Sequence, residues 1–171
     1  MNVEPVKNRM PLSSHDHSVE LTLPNELGYE RIAMACSASL AKMYGCPADR
    51  IEDLKTVVGE AAINAMQHGN QWRPESRVIV KIEVAENTIQ VSVTDEGSGL
   101  REEVADPDIE RLIEKNVPAV GFGLFLMRNL ADRIEFDRMS RGGHRVQMYI
   151  RMQAKAGVRK AEAHLAAGNR V

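Results

Sequence analysis

The stretch Glu60-Ala61-Ala62-Ile63-Asn64-Ala65-Met66-Gln67-His68-Gly69-Asn70 carries three polar side chains on a repeat of four. Glu60, Asn64 and His68, at i, i+4 and i+8, project from one face of a helix, and Val57, Ala61 and Ala65 form the opposite stripe that faces a core. Asparagine is a poor helix former, so Asn64 inside this helix asks for a reason. Taken alone the pattern is equally that of a solvated polar face, and the rest of the chain has to decide between the two.

Upstream, Ile51, Leu54, Val57 and Val58 continue the buried stripe, and Pro47 is placed to open the helix at its first turn. The helix is therefore predicted from about Pro47 to about Gly69. Before it, Leu27, Ile32, Ala35, Leu40 and Met43 suit a helix from Glu26 to Tyr44 that ends at Gly45. Val19, Leu21 and Leu23 alternate as a short strand that stops at Pro24.

Downstream, Val78, Val80, Ile82 and Val84, then Ile89, Val91 and Val93, read as a β-hairpin turning through Ala85, Glu86 and Asn87. Gly97 and Gly99 end the second strand. Residues 100–120 have few large apolar anchors and contain Pro107 and Pro118, which predicts a mobile lid with a helical fragment near 109–113. A helix over 122–132 and strands near 133–139 and 144–152 follow, the last showing Val146, Met148, Ile150 and Met152 in alternation. Residues 1–17 are expected to be a mobile tail, and 153–171 an alanine-rich tail with weak helical character.

The order β-α-α-β-β-loop-α-β-β predicts an α+β fold over residues 18–152. Three main helices would cover one face of a mixed, mostly antiparallel sheet in a two-layer sandwich.

At 171 residues, 43% hydrophobic and 27% charged, the chain fits one globular domain. A net charge of −2 advertises no affinity for nucleic acid, and no apolar run is long enough to span a bilayer. The N-terminus lacks a secretory apolar stretch, so the cytoplasm is the expected compartment. Cys36 and Cys46 read as small core residues, and the five histidines and two cysteines form no metal-ligand spacing.

Two further clusters bear on chemistry. Asp95-Glu96-Gly97-Ser98-Gly99-Leu100 follows a strand; a carboxylate there can accept a hydrogen bond from an exocyclic amine, and the glycines let backbone approach a flat ring. The same six residues would also serve as a plain turn. Gly121-Phe122-Gly123-Leu124 opens a helix whose first N–H groups are free to hold phosphate oxygens. Neither a P-loop, a complete dinucleotide fingerprint, a protein-kinase HRD and DFG pair nor a GxSxG elbow is present.

In this order, the three clusters resemble the ATP-binding clan of histidine kinases, type II topoisomerases, Hsp90-like chaperones and MutL-like repair proteins. The fold implied is the Bergerat type. With neither an upstream phosphorylated helical hairpin nor a transducer domain expected, the resemblance narrows. Ile51 to Ala65 and Gly123 to Asp132 look like the bacterial anti-sigma-factor serine kinases.

That resemblance implies a protein serine/threonine kinase using ATP and Mg²⁺, with Glu60 as general base and Asn64 on the metal. Asp95 would bind the adenine amine, Gly97, Gly99 and Leu100 would line the base, and Gly121, Phe122, Gly123 and Leu124 would wrap the phosphates. His68 would touch ribose or phosphate, or serve only as a helix-end residue. The implied partners are a small antagonist protein phosphorylated on serine and a sequestered sigma factor or other target. A homodimer is implied, with no direct contact to nucleic acid or membrane. The alternative is an ATP-dependent binding module that regulates a partner by docking. One departure stands out: where the family has Gly-Thr at the start of the last strand, this chain has Gly142-Gly143-His144.

Overall fold

Strand alternation and helix stripes build two layers. The structure is a computed structural model, and it describes residues 17–97, 122–140 and 142–153. The expected N-terminal tail, apart from His17, the lid over 100–120, and the C-terminal tail beyond Gln153 lie outside the described residues.

The elements run β1 (Ser18–Pro24), α1 (Glu30–Met43), α2 (Ala48–Asn64), a π turn (Ala65–Gly69), β2 (Arg77–Ala85), β3 (Thr88–Thr94), α3 (Phe122–Leu130), β4 (Arg133–Arg138) and β5 (His144–Arg151). The five strands form one sheet in the order β1-β2-β3-β5-β4.

All four pairings are antiparallel, where a mixed sheet was expected. The crossover through α3 does return β4 parallel to β3, but β5 folds back between them, so the two never touch. Hairpin formation between β4 and β5 thus removes the only parallel neighbour the topology offered.

Period-two alternation puts one set of side chains under the helices. Leu21, Val80, Val93 and Val146 form one cross-strand row, and Ile82, Val91, Met148 and Ile134 another. Against them α2 presses Leu54, Val57, Val58, Ala61 and Ala62, all at most 2% exposed. The β2–β3 turn is tighter than expected: Ala85 pairs with Thr88, leaving two turn residues, with Glu86 at φ +50°.

Helix α1 departs from its expected face and start. Gly28, at φ +107°, bends the chain ahead of it, so the helix begins at Glu30 rather than Glu26. Its inner face is Ala33, Ser37 and Ala41, while Leu27, Ile32 and Met43 are exposed. Small residues let the α1 backbone approach α2, and they outweigh the larger apolar residues in choosing the face. Cys46 is buried and Cys36 half-buried, both as free thiols, and burial raises the Cys46 thiol above its ordinary range. Among the described residues no helix is long and apolar enough to cross a membrane.

Candidate functional site

The C-terminal end of α2 meets the start of α3, and the turn that follows α2 meets the segment after β3, which also meets the start of β5. Glu60 and Asn64 lie on the last two turns of α2, both half-buried. The first turn of α3 comes directly onto them: a Cβ on Gly123 would lie 2.3 Å from Glu60 Oε2 and 3.6 Å from Asn64 Nδ2. Glycine at 123 is what lets a helix N-terminus, with its free N–H groups, sit against a carboxylate. Neither the Glu60 carboxylate nor the Asn64 carboxamide has a hydrogen-bond partner among the described residues.

Past Asn64 the helix widens. Asn70 N–H donates to Ala65 O at 2.8 Å, an i+5 bond, and Trp72 N–H to Met66 O at 2.9 Å. A wider turn shifts every later residue relative to the 3.6 repeat. The register that aligned His68 with Glu60 and Asn64 therefore ends at Asn64, and His68 is exposed. Single π turns of this kind recur at functional sites.

Asp95, 9% exposed, sits just beyond β3. Its N–H donates to His144 O at 2.9 Å. Its Oδ1 accepts from Gly97 N–H at 2.9 Å and from His144 N–H at 3.3 Å. Its Oδ2 accepts from no described residue.

Three glycines pack closely around Asp95, one of them against its carboxylate. A Cβ on Gly69 would lie 2.3 Å from Asp95 Cγ, one on Gly97 1.6 Å from Gly69 O, and one on Gly143 2.1 Å from Asp95 O. Backbone packs so closely here that only glycine fits, and the carboxylate is held with one oxygen free. Phe122 is exposed at the start of α3, and Leu124 is partly buried against the core. Gly99, Leu100 and Gly121 lie outside the described residues.

Asn70 is the positioning residue that the sequence reading passed over. It is fully buried. Its Nδ2 donates to Arg77 O at 2.9 Å, and its Oδ1 accepts from Glu96 N–H at 2.8 Å. Glu96 Oε2 in turn accepts from Arg77 N–H at 2.9 Å. One carboxamide thus ties the segment after α2 to the segment after β3 and fixes where Asp95 begins. The signal in the sequence was a polar residue directly after His-Gly, but nothing in its spacing distinguished it from a loop asparagine.

Residues 23–150 match the histidine kinase-like ATPase domain family. The chain belongs to that family. Among curated relatives, the serine-protein kinase RsbW of Bacillus cereus (strain AH820) is 30% identical over 122 residues, 68% of this chain and 75% of the relative. The RsbW of Bacillus velezensis is 30% identical over 121 residues, 68% of this chain and 76% of the relative. Among solved structures, that of the RsbU and RsbW domains of a Mycobacterium tuberculosis protein superposes with a TM-score of 0.56 at 17% identity. It covers 78% of this chain and 32% of that one, and at that identity it speaks for the fold. The family match runs from the end of β1 into β5, and the described elements are three helices and an antiparallel sheet.

Proposed function

We propose that this histidine kinase-like ATPase domain is an ATP-dependent protein-serine kinase of a bacterial partner switch. It would phosphorylate a small antagonist protein on serine and sequester a sigma factor or other target, working as a homodimer. The observation that carries the reading is the packing of Gly123 on Glu60 and Asn64, which sets a base candidate and a metal-ligand candidate under a helix N-terminus.

The residues suit the groups such a kinase handles. The free Oδ2 of Asp95 fits the amino group of adenine. Phosphates fit the N-terminus of α3. Asn64 offers an oxygen to Mg²⁺, which takes most of its other ligands from phosphates and water and would neutralise phosphate charge when bound. No cluster of three His, Cys, Asp or Glu residues among those described competes as a metal site.

Glu60 also borders an open groove of about 310 Å³ between α1 and α2, lined by Arg31, Met34 and Thr56 among others. A protein hydroxyl entering there meets the carboxylate. Its oxygen attacks the γ-phosphorus, Glu60 takes the proton, and the bond to the β–γ bridging oxygen breaks to release ADP. Phosphoryl transfer asks mostly for positioning and charge neutralisation, and the base supplies about 10²–10⁴-fold.

Glu60→Gln keeps shape and removes proton acceptance. We expect near-normal Mg-ATP affinity and phosphate transfer lowered by about 10²–10⁴-fold, read as one added phosphate by intact mass of the cognate antagonist. Equal transfer rates would remove Glu60 as the base. A wild-type chain that binds both ATP and the antagonist yet adds no phosphate would instead be a docking module.

A further inference from the structure

The segment from Asn70 to Ser76, between the π turn and β2, runs through an unfavourable backbone. Gln71 and Trp72 take φ values of +53° and +57°, a left-handed pair with no glycine in it. Residues other than glycine hold that region only where their surroundings over-determine it, and such places cluster at active sites and ligand clamps. Two buried carboxamides supply the constraint here. Asn70 is fully buried, and Asn25, directly after β1, is 6% exposed. Asn25 Nδ2 donates to Arg73 O at 2.9 Å, and Asn25 Oδ1 accepts from Asn70 Nδ2 at 3.4 Å. Arg73 closes the turn, its N–H and its Nε each donating to Asn70 O at 3.1 Å.

The far side of the same turn bears on Asp95. Asn70 Oδ1 accepts from the N–H of Glu96, the next residue, at 2.8 Å. A Cβ on Gly69 would lie 2.3 Å from Asp95 Cγ, so the backbone just ahead of Asn70 presses on the carboxylate itself. Strand β1 is an edge strand, and β2 separates it from β3. Two carboxamides therefore join the end of an edge strand to a carboxylate that follows the middle strand.

We propose that Asn25 is a positioning residue of the nucleotide site. It locks the strained turn that, through Asn70 and Gly69, sets the reach of Asp95 to the 6-amino group of adenine. This rests on the reading of Asp95 as the carboxylate that takes the base. A hydrogen bond weakens steeply as its geometry worsens, so a carboxylate that drifts loses part of its bond to the amine while the rest of the nucleotide stays held. Without the Asn25 side chain, Arg73 O keeps the N–H of Ser76, and the left-handed pair is free to relax. The pairing of β1 with β2 is untouched, so the loss falls on the base contact.

The test compares ATP with purine riboside triphosphate, which is ATP without its 6-amino group. The dissociation constant of its Mg complex divided by that of Mg-ATP, by calorimetry on the full chain, isolates the contact to Asp95. Ribose, phosphates and metal are common to both and cancel. In the wild type the ratio should be about ten or more, the worth of one charged hydrogen bond. Asn25→Ala should lower it to about three, with the affinity for purine riboside triphosphate unchanged. In an Asp95→Asn background Asn25→Ala should leave the ratio where it is, because the residue acts through Asp95. Thermal unfolding, followed by the fluorescence of Trp72, the one tryptophan of the chain, shows which variants are folded. Asn25→Ser, whose side chain is one bond shorter, takes the place of Asn25→Ala if the latter does not fold.

A folded variant with the wild-type ratio overturns the proposal. So does one that loses affinity for both nucleotides alike, and so does loss of folding in both variants, since each would make Asn25 part of the framework alone. A wild-type ratio close to unity, or a high ratio that survives Asp95→Asn, is a different failure. The assignment of the base site then falls and takes the role of Asn25 with it.

Discussion

The two ends of α2 both bury charge or polarity, and they do it in opposite ways. At the N-terminal end Arg50 is 1% exposed, and every nitrogen of its guanidinium is engaged. Nε donates to Arg151 O at 3.1 Å, Nη1 to Asp53 at 2.6 Å and to Leu130 O at 3.2 Å, and Nη2 to Asp132. Asp132 also accepts from the N–H of Arg151 at 2.8 Å and from its Nε at 3.0 Å. That network joins the start of α2, the end of α3 and the end of β5.

At the C-terminal end, Glu60, Asn64, one oxygen of Asp95 and the imidazole of His144 have no hydrogen-bond partner among the described residues. Side chains that complete one another make a joint. Side chains held in place by backbone and glycine, with polar atoms left over, keep those atoms for water or a ligand. Sequence shows polarity at both ends, and only the pairing tells them apart.

The largest expected effect breaks the joint. Arg50→Ala leaves Asp53 and Asp132 facing each other across the gap, and breaking a buried ion pair costs about 3–5 kcal/mol. The two carboxylates keep 17% and 23% exposure, so we expect the lower end of that range, about 3 kcal/mol. Chemical denaturation measures it. Nucleotide affinity of the still-folded fraction should stay at the wild-type value. A loss below about 1 kcal/mol would rank this network with ordinary surface ion pairs and erase the contrast.

The converse change is Asp95→Asn. The carboxamide oxygen can still accept from the N–H groups of Gly97 and His144, so stability should shift by less than about 1 kcal/mol. ATP affinity should fall about tenfold or more with the loss of a charged acceptor. Calorimetry and denaturation on the same preparation give both readings. A variant that loses stability as Arg50→Ala does, without losing affinity, would make Asp95 part of a joint as well.

Much of this was legible in the chain. Strand alternation from Val78 to Val93 and from Val146 to Met152 identified the sheet, because period two has one reading when every second residue is β-branched or apolar. Asp95 and the glycines after it stood out only through their order with the other two clusters, since alone the six residues also read as a plain turn. The face of α1 was not, since burial there follows backbone approach through Ala33, Ser37 and Ala41 rather than side-chain size. Nor was the π turn, which depends on how Asn70 and Trp72 close their hydrogen bonds. Arg50 was overlooked because its partners Leu130, Asp132 and Arg151 are 80 to 101 residues away, and no local spacing reveals that.

The smallest expected effect concerns how the joint responds to acid. Burial pushes the Asp132 carboxyl up, but hydrogen bonds from the Arg151 backbone and side chain, with the charges of Arg50 and Arg151, outweigh it and hold the group below its ordinary value of 3.8. A carboxyl depressed in the folded state adds stability that is complete above the unfolded value and disappears as pH falls through the folded one. The difference in unfolding free energy between the wild type and Asp132→Asn should therefore be constant from about pH 7 to about pH 5. It should then shrink steadily below about pH 4, as protonation makes the wild type resemble the variant.

The size should be a fraction of the Arg50→Ala effect, because Arg50 keeps Asp53 and two carbonyls when Asp132 loses its charge. Urea titrations of both proteins across that range give the difference directly, with the other carboxylates common to both. A difference that stays constant to about pH 3 would mean that the Asp132 charge adds nothing beyond its hydrogen bonds. The N-terminal end of α2 would then be held by hydrogen-bond geometry alone, and the two ends would differ only in how many partners they have found.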